Sequence, residues 1–314
     1  MNKYIIKRLL QSVPVLLLSS IIIFSILHFT PGDPAYFVAG LDATPEVLEA
    51  VRIKMGLNKP FYEQYYLWLS DILSGNFGNS AINHQPVSKL ILGRLPATIH
   101  LTLSGFIFTI ILSFLIGIPA GLKPNSIVDY FCSIYSALAF GIPVFWLGIL
   151  LILLFSVILR ILPPSGYISI FEDPVLSLKS LMLPTITLAL ANSGALARFI
   201  KFSILEITSQ DYIRTARSKG LLENVIVRRH VLKNAMIPVL TVATLMIGGL
   251  LGGVVVIEVI FAWPGIGRLL LEALNNRDYP VVQGTLLFVV FIIILVNLVT
   301  DLLYIYFDPR IKYV

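Results

Sequence analysis

The side chains able to do chemistry are few in this sequence and poorly spaced for it. Four histidines stand at positions 28, 84, 100 and 230, no two of them at the i, i+4 spacing of a helical zinc pair. The single cysteine, Cys132, excludes an intrachain disulfide and a thiolate-rich metal site, and its apolar neighbours give it a packing role. No Gly-x-Ser-x-Gly nucleophile elbow occurs. The phosphate-cradling G-x-x-x-x-G-K-[ST] loop is missing too, since no glycine is followed by lysine anywhere. No residue is therefore expected to be catalytic or metal-ligating, and no cofactor is expected on this chain. Two carboxylates, Glu258 and Asp301, fall in apolar stretches, where an ionisable group is a functional suspect. Both are expected near a membrane interface, where hydration is cheap, as are the polar tips of His28 and His100.

The elements that must position these residues belong in a bilayer. Of the 314 residues only 13% are charged, against about 25% in ordinary soluble domains, while 57% are hydrophobic. Mean hydropathy is +0.89. Soluble two-domain and disordered readings are excluded by the same figures. Six apolar runs reach the roughly 20 residues that cross a bilayer: Leu9–Phe29, Ala97–Leu122, Tyr130–Leu159, Ser177–Ala197, Met236–Ile257 and Val281–Phe307. Lys3, Lys7 and Arg8 precede the first run, which is longer than a signal-peptide core and is read as a retained span.

Lys and Arg placement orients the bundle. With the N-terminus inside, fourteen cationic residues lie on the inner side, including Lys123, Arg310, Lys312 and eight between spans four and five. The short outer loops hold four: Arg160, Lys179, Arg268 and Arg277. Both termini are expected in the cytoplasm. The net charge of +6 is thus topological and points away from nucleic acid.

Two segments depart from a plain bundle. In the outer loop Thr30–Pro96, a helix is expected from Pro45 to Met55, with Thr44 as N-cap and Gly56 as stop. A second apolar stretch there, Trp68 to Leu73, gives a small outer cap. The other segment, Arg198 to Asn234, is the most informative. Thr208 and Asp211 fit the [ST]-x-x-[DE] helix start, and Gly220 supplies a left-handed stop to a short helix carrying Tyr212, Arg214, Thr215, Ala216, Arg217, Ser218 and Lys219. A second helix, Leu222 to Asn234, is expected to feed span five through Pro238. The short helix could lie on lipid phosphates; its weak apolar face favours docking on a protein, with Thr215, Ala216 and Ser218 as a small-residue surface and the basic residues on the partner's rim.

The string DYIRTARSKG followed by RRHVLKNAMIPVLT closely resembles the cytoplasmic loop of ABC importer permeases of the dipeptide, oligopeptide and nickel branch, B-type subunit. Further matches run along the chain: PGDP at Pro31–Pro34, FG-x-S at Phe77–Ser80, FAWPGIGR at Phe261–Arg268, RDYPVVQ at Arg277–Gln283 and DPRI at Asp308–Ile311. Of the broader family's Glu-Ala-Ala…Gly pattern only Ala216 and Gly220 match strictly. The resemblance implies an all-α membrane protein of the type I importer permease fold, lodged in the cell membrane. Its organisation would be a first span over 1–30, an outer loop over 31–95 and a permease core over 96–307 containing a coupling loop at 198–234. It makes Asp211, Tyr212, Arg214, Thr215, Ala216, Arg217 and Gly220 the ATPase-coupling residues. It also implies a second homologous permease, two ATPase subunits that hold the ATP and Mg, and an extracytoplasmic binding protein.

Gly248, Gly249, Gly252 and Gly253 make small-xxx-small pairs, suited to packing within the subunit or against the second permease. Trp263, Pro264, Gly265 and Arg268 are expected to form a rigid turn that closes an outer gate or receives the binding protein, with a plain tight connection as the alternative. Pro119, Gly141, Pro143 and Pro184 are points where helices could loosen. A secondary carrier would favour midplane acidic groups and an inverted repeat, and neither is visible. For the substrate, the branch takes peptides, glutathione and nickel or its chelates; the scarcity of His and acidic residues in the spans favours peptide.

Overall fold

The computed structural model describes residues 2–29, 35, 43–54 and 56–307, so the Pro31–Pro34 and Asp308–Ile311 motifs lie outside the described residues. Among the described residues the chain is helical, with one isolated antiparallel bridge between Asn79 and Pro86. The helices are α1 (Asn2–Phe29), α2 (Pro45–Lys54), α3 (Phe61–Leu73), α4 (Val87–Leu122), α5 (Ile127–Gly141) and α6 (Val144–Ile152, prolonged by π-helical Leu153–Ile158). They continue as α7 (Pro174–Thr208), α8 (Asp211–Ser218), α9 (Glu223–Val225, prolonged by π-helical Ile226–Leu232), α10 (Lys233–Ile260), α11 (Ile266–Asn275) and α12 (Tyr279–Phe307). Among the described residues four helices are long and apolar enough to cross a membrane, five if the α5–α6 pair is one span, and the Leu10–Ile26 stretch of α1 is a shorter apolar helix.

The third expected span, Tyr130–Leu159, is not one rod. It bends by 101° between α5 and the α6 stretch. Pro143 has no N–H to continue the ladder, and its ring drives Ile142 into an extended conformation, φ −90° and ψ 119°. Pro184, by contrast, sits inside the unbroken 35-residue α7, whose start is fixed by Asp173 accepting from the backbone N–H groups of Val175 and Leu176 at 3.0 Å, with Pro174 in the first turn.

The chain divides into two compact units. One comprises Met1–Pro96 with Gly265–Leu298, the other Ala97–Pro264 with Val299–Val314. In the first, Val87 and Ile91 of α4 pack with Leu269, Ala273, Val281 and Val282. Two motifs that the sequence shows far apart meet here: Ser80 of FG-x-S donates its hydroxyl to the buried Asp278 of RDYP, which also accepts from the Ala81 N–H at 3.1 Å. Expected helix 45–55 ends at Lys54, with Gly56 at φ +69° as its stop and the Thr44 carbonyl accepting from Leu48.

In the second unit, glycines let helices close to backbone contact. A methyl at Gly117 would lie 2.6 Å from the Ala197 carbonyl oxygen, and one at Gly194 would lie 2.5 Å from the Ala139 Cβ. Gly121 meets α7 in the same way, at the Lys201 carbonyl. Small residues at such crossings are how helices associate where lipid is as apolar as leucine. Hydroxyls bridge the same helices: Ser113 to the Ser193 carbonyl at 3.1 Å, Ser136 to the Gly194 carbonyl at 2.8 Å and Ser203 to the Ala235 carbonyl at 2.9 Å. At the start of α5, Asp129 pairs with Lys201 of α7.

Candidate functional site

The loop joining α7 to α10 holds the candidate site. Its short helix α8 is eight residues long, Asp211–Ser218, and one face of it is anchored in its own subunit. Ile213 and Ala216 are buried together with Ile200 and Ile204 of α7, Ile226 and Val231 of the π-helical stretch, and Ala235 of α10. At 100° per residue, positions 213 and 216 share one side of the helix and Asp211, Arg214, Thr215 and Ser218 share the other. All four of the latter are exposed.

This arrangement corrects three expectations. Thr208 does not cap α8: it is the last residue of α7, its hydroxyl donates back to the Ile204 carbonyl at 2.7 Å, and Gln210 occupies the N-cap without a side-chain bond. A hydroxyl within reach of an i−4 carbonyl on its own helix has no need of the next one. Second, Ala216 is not part of an outward small-residue surface; it faces the subunit's core, and Asp211 and Arg214 complete the outward stripe instead. Third, Leu222–Asn234 is not a separate regular helix. It is a single turn, Glu223–Val225, then a π-helical run that passes straight into α10.

The ends of α8 are fixed by polar contacts. Arg217 forms a fork with Glu223, Nε to Oε2 at 3.2 Å and Nη2 to Oε1 at 2.8 Å, and those bonds hold the guanidinium's pKa above its ordinary value. Arg217 is therefore engaged within the chain. Tyr212 accepts a hydrogen bond from Asn234 Nδ2 at 3.2 Å, and the hydroxyls of Thr215 and Ser218 donate to the Asp211 and Arg214 carbonyls. Gly220 ends the helix at φ +74°, with no neighbour within 4 Å of where a methyl would stand. Its need is conformational, not spatial. Immediately after it, Leu221 and Leu222 are 42% and 75% exposed. In the sequence Leu222 figures only as the start of the second helix and Leu221 not at all; two leucines directly following a stop glycine are the available signal.

The Thr215 and Ser218 hydroxyls donate to carbonyls of their own helix. The site presents a short rod, pinned on one side and polar on the other, with an exposed apolar pair at its end.

Elsewhere the sequence-derived residues fall differently from expectation. Trp263 is buried, with its indole N–H donating to the Ala97 carbonyl at 2.8 Å and its ring edge-on to Tyr167 at 4.9 Å. Gly265, the N-cap of α11, is buried too, so only Pro264 and Arg268 of that turn keep partial exposure. Arg268 is salt-bridged to Glu272 at 2.7 Å. Glu258, expected to be hydrated, is fully buried and accepts from the Thr98 hydroxyl at 2.7 Å. His100 lies beside Tyr167, 3.4 Å from its hydroxyl. Of the glycine pairs, Gly253 approaches Leu188, whereas Gly249 and Gly252 are exposed and have no neighbour within 4 Å.

Residues 113–313 match the family model for the binding-protein-dependent transport system inner membrane component, and residues 1–102 match the N-terminal model of the same membrane component. The chain belongs to this permease family. Relatives align over its whole length: it is 43% identical to a putative peptide transport system permease protein of Brucella abortus (strain 2308), over 100% of both chains. It is 40% identical, again over 100% of both, to the dipeptide transport system permease protein DppB of Alkalihalophilus pseudofirmus and to the glutathione transport system permease protein GsiC of Escherichia coli (strain K12). The fold resembles that of the MetNI methionine ABC transporter in inward-facing form, with TM-score 0.53 and 21% identity over 70% of this chain and 96% of that one. An amino acid ABC transporter solved with histidines gives TM-score 0.53 at 14% identity, over 69% and 94% of the two chains. The chain is thus a multi-pass permease of the type I importer fold.

Proposed function

We propose that this permease forms half of the translocation pathway of an ATP-driven importer of peptides. Two observations support it: the full-length relatives are named for peptide, dipeptide and glutathione transport, and the polar face of α8 stands clear of its own subunit. In this reading α8 is the coupling helix. Asp211, Arg214, Thr215 and Ser218 meet a partner ATPase, Leu221 and Leu222 fill its apolar pocket, and Ile213 and Ala216 transmit its displacement to α7 and α10. Arg217 and Tyr212 hold the rod in place, and Gly220 sets where it ends.

The partners are a second homologous permease, two ATPase subunits that bind ATP and Mg, and a binding protein on the far side of the membrane. Residues 1–30 form the first span, 31–95 the extracytoplasmic segment and 96–307 the core, with 198–234 and both termini in the cytoplasm. Gly249 and Gly252 lie on the face turned to the second permease.

Glutathione, itself a peptide with an unusual linkage, is the second reading, on the strength of the relative named for it. Vesicles holding the assembled transporter separate the two. Binding-protein-dependent uptake of a labelled dipeptide, requiring ATP and the partner ATPases, is the expected result. Uptake of glutathione with dipeptide ineffective as a competitor would establish the second reading. ATP-independent uptake by the chain alone would overturn both.

A further inference from the structure

Asp129 of α5 and Arg198 of α7 mark one level of the bundle. On α7 the residues from 180 to 197 carry no charge, and that stretch rises about 27 Å, close to the roughly 30 Å of a hydrocarbon layer. Beyond Asp129, α5 and α6 are uncharged as far as Arg160. At the α8 end of these helices the first charges met are therefore Asp129, Arg198 and Lys201, at the depth where lipid phosphates lie.

At this level α5 and α7 flank a cavity of about 250 Å³ lined by Cys132, Ser133, Arg198, Lys201 and Phe202. Sites for drug-sized ligands run to roughly 300–1,000 Å³, so this one suits a single headgroup and not a peptide. Its wall is cationic and only half neutralised. Lys201 pairs with Asp129, both side chains nearly buried, and donates to the Ser133 hydroxyl at 3.0 Å. An ammonium has three N–H groups, and these contacts engage two. Arg198 is exposed, its guanidinium carbon over the Phe202 ring at 5.6 Å from the centroid. Among the described residues no carboxylate pairs with Arg198 and no hydrogen bond uses its guanidinium. Arg198 and Lys201 against Asp129 leave one surplus positive charge.

We infer that this cavity is a phosphate site, with Arg198 as its main donor and the remaining Lys201 N–H as its second. Asp129 and Ser133 hold Lys201 in place, while the planar guanidinium fork of Arg198 is open to two phosphate oxygens at once. A phospholipid phosphodiester carries the single negative charge that matches the surplus, and it already lies at this depth. Basic pockets between transmembrane helices hold acidic lipid headgroups in this way. Free phosphate is the other source of the same group, and the two are separable.

The complete transporter, purified in detergent and stripped of lipid, is titrated with phosphatidylglycerol, and bound lipid is counted by native mass spectrometry. Arg198→Gln is expected to hold one equivalent fewer than the unaltered complex, and Arg198→Lys to keep it. Because Arg198 bonds to nothing in its own chain, Arg198→Gln is expected to assemble in normal amounts. Lys123, exposed at the same end and outside the cavity, is the control, and Lys123→Gln is expected to change nothing. In a lipid-free arm, a rise in thermal midpoint with millimolar inorganic phosphate, absent from Arg198→Gln, would identify free phosphate as the ligand of the same site. Equal lipid counts together with no such rise would overturn the inference. An equal loss in Lys123→Gln would overturn it in favour of diffuse surface attraction. Loss of the second permease from Arg198→Gln would overturn it in favour of a neighbouring chain that fills the cavity.

Discussion

Arg217 and Glu223 close a six-residue bridge across Gly220 through two parallel hydrogen bonds, at 3.2 and 2.8 Å. The fork spans the one backbone position that must be left-handed, so the end of α8 is fixed from both sides. Exposed pairs of this kind contribute about 0–1 kcal/mol to stability, so their value here lies in direction. Arg217→Glu and Glu223→Arg are each expected to lower substrate-stimulated ATP hydrolysis several-fold while the subunit is made in normal amounts. The double exchange is expected to restore most of it. Failure of the exchange to rescue would show that Arg217 touches the ATPase itself.

Opposite faces of α8 should fail in different ways. Thr215→Trp adds bulk to the outward stripe and is expected to abolish co-purification of the ATPase with a folded permease. Ala216→Trp overpacks the core against Ile204 and Ile226, a change that typically destabilises by about 1–3 kcal/mol, and is expected to reduce the amount of permease recovered. Chromatography of the detergent-solubilised complex reads both. Normal ATPase retention by Thr215→Trp would remove the outward stripe from the interface.

Ile213 links α8 to the spans through apolar contact alone. Truncating a fully buried isoleucine to alanine removes about 2–5 kcal/mol from the packing that holds it. Ile213→Ala is expected to make the 209–222 segment more sensitive to limited proteolysis and to uncouple ATP hydrolysis from uptake. Unchanged cleavage kinetics would mean the helix is held by its polar contacts instead.

Glycines divide into two kinds with separate readouts. Gly117→Val and Gly194→Val drive a side chain into a facing helix and are expected to lower the thermal midpoint of the isolated permease. Gly249→Val and Gly252→Val meet no neighbour in this chain. They are expected to leave that midpoint alone and to weaken cross-linking to the second permease. Full cross-linking in both would place the subunit interface elsewhere.

The proposed orientation has a direct check. Cysteines at Asn79 or His84, both exposed, are expected to react with an impermeant maleimide applied outside intact cells, and one at Ser218 only after permeabilisation. Labelling of Ser218 from outside would invert the topology.

Much of this was legible in the sequence because it is written in composition and punctuation. Apolar runs located the four helices long enough to cross a membrane and the bent α5–α6 pair, and Gly220 and Gly56 marked stops that their positive φ confirms. What escaped is three-dimensional. No local signal distinguishes Ala216, which turns inward, from Thr215, which does not, until the Ile213 face is known to pack on α7. The glycine pairs at 248–253 drew attention by spacing, yet the tight crossings are at Gly117, Gly121 and Gly194, whose partners are distant in sequence. Trp263 looked like a surface turn because Pro and Gly follow it; its Ala97 partner is 166 positions away. Asp278 and Ser80 were each visible as motif residues, and only folding joins them.

The elbow at Gly141–Pro143 has a consequence for whatever surrounds this subunit. Neither arm can cross the hydrocarbon alone: fifteen residues of α5 reach about 22 Å, short of the roughly 30 Å needed. Read as one broken span, the pair puts its corner at membrane depth, where one helix ends with bare carbonyls and the next begins with bare N–H groups. Acyl chains cannot satisfy such groups, and broken backbone persists there only against protein or along a water-filled cavity. Gly141 and Pro143 are exposed in this subunit. In that reading the corner is met in the assembled transporter by a neighbouring chain or by the water of the transport route, which makes it a fixed point from which either can be traced.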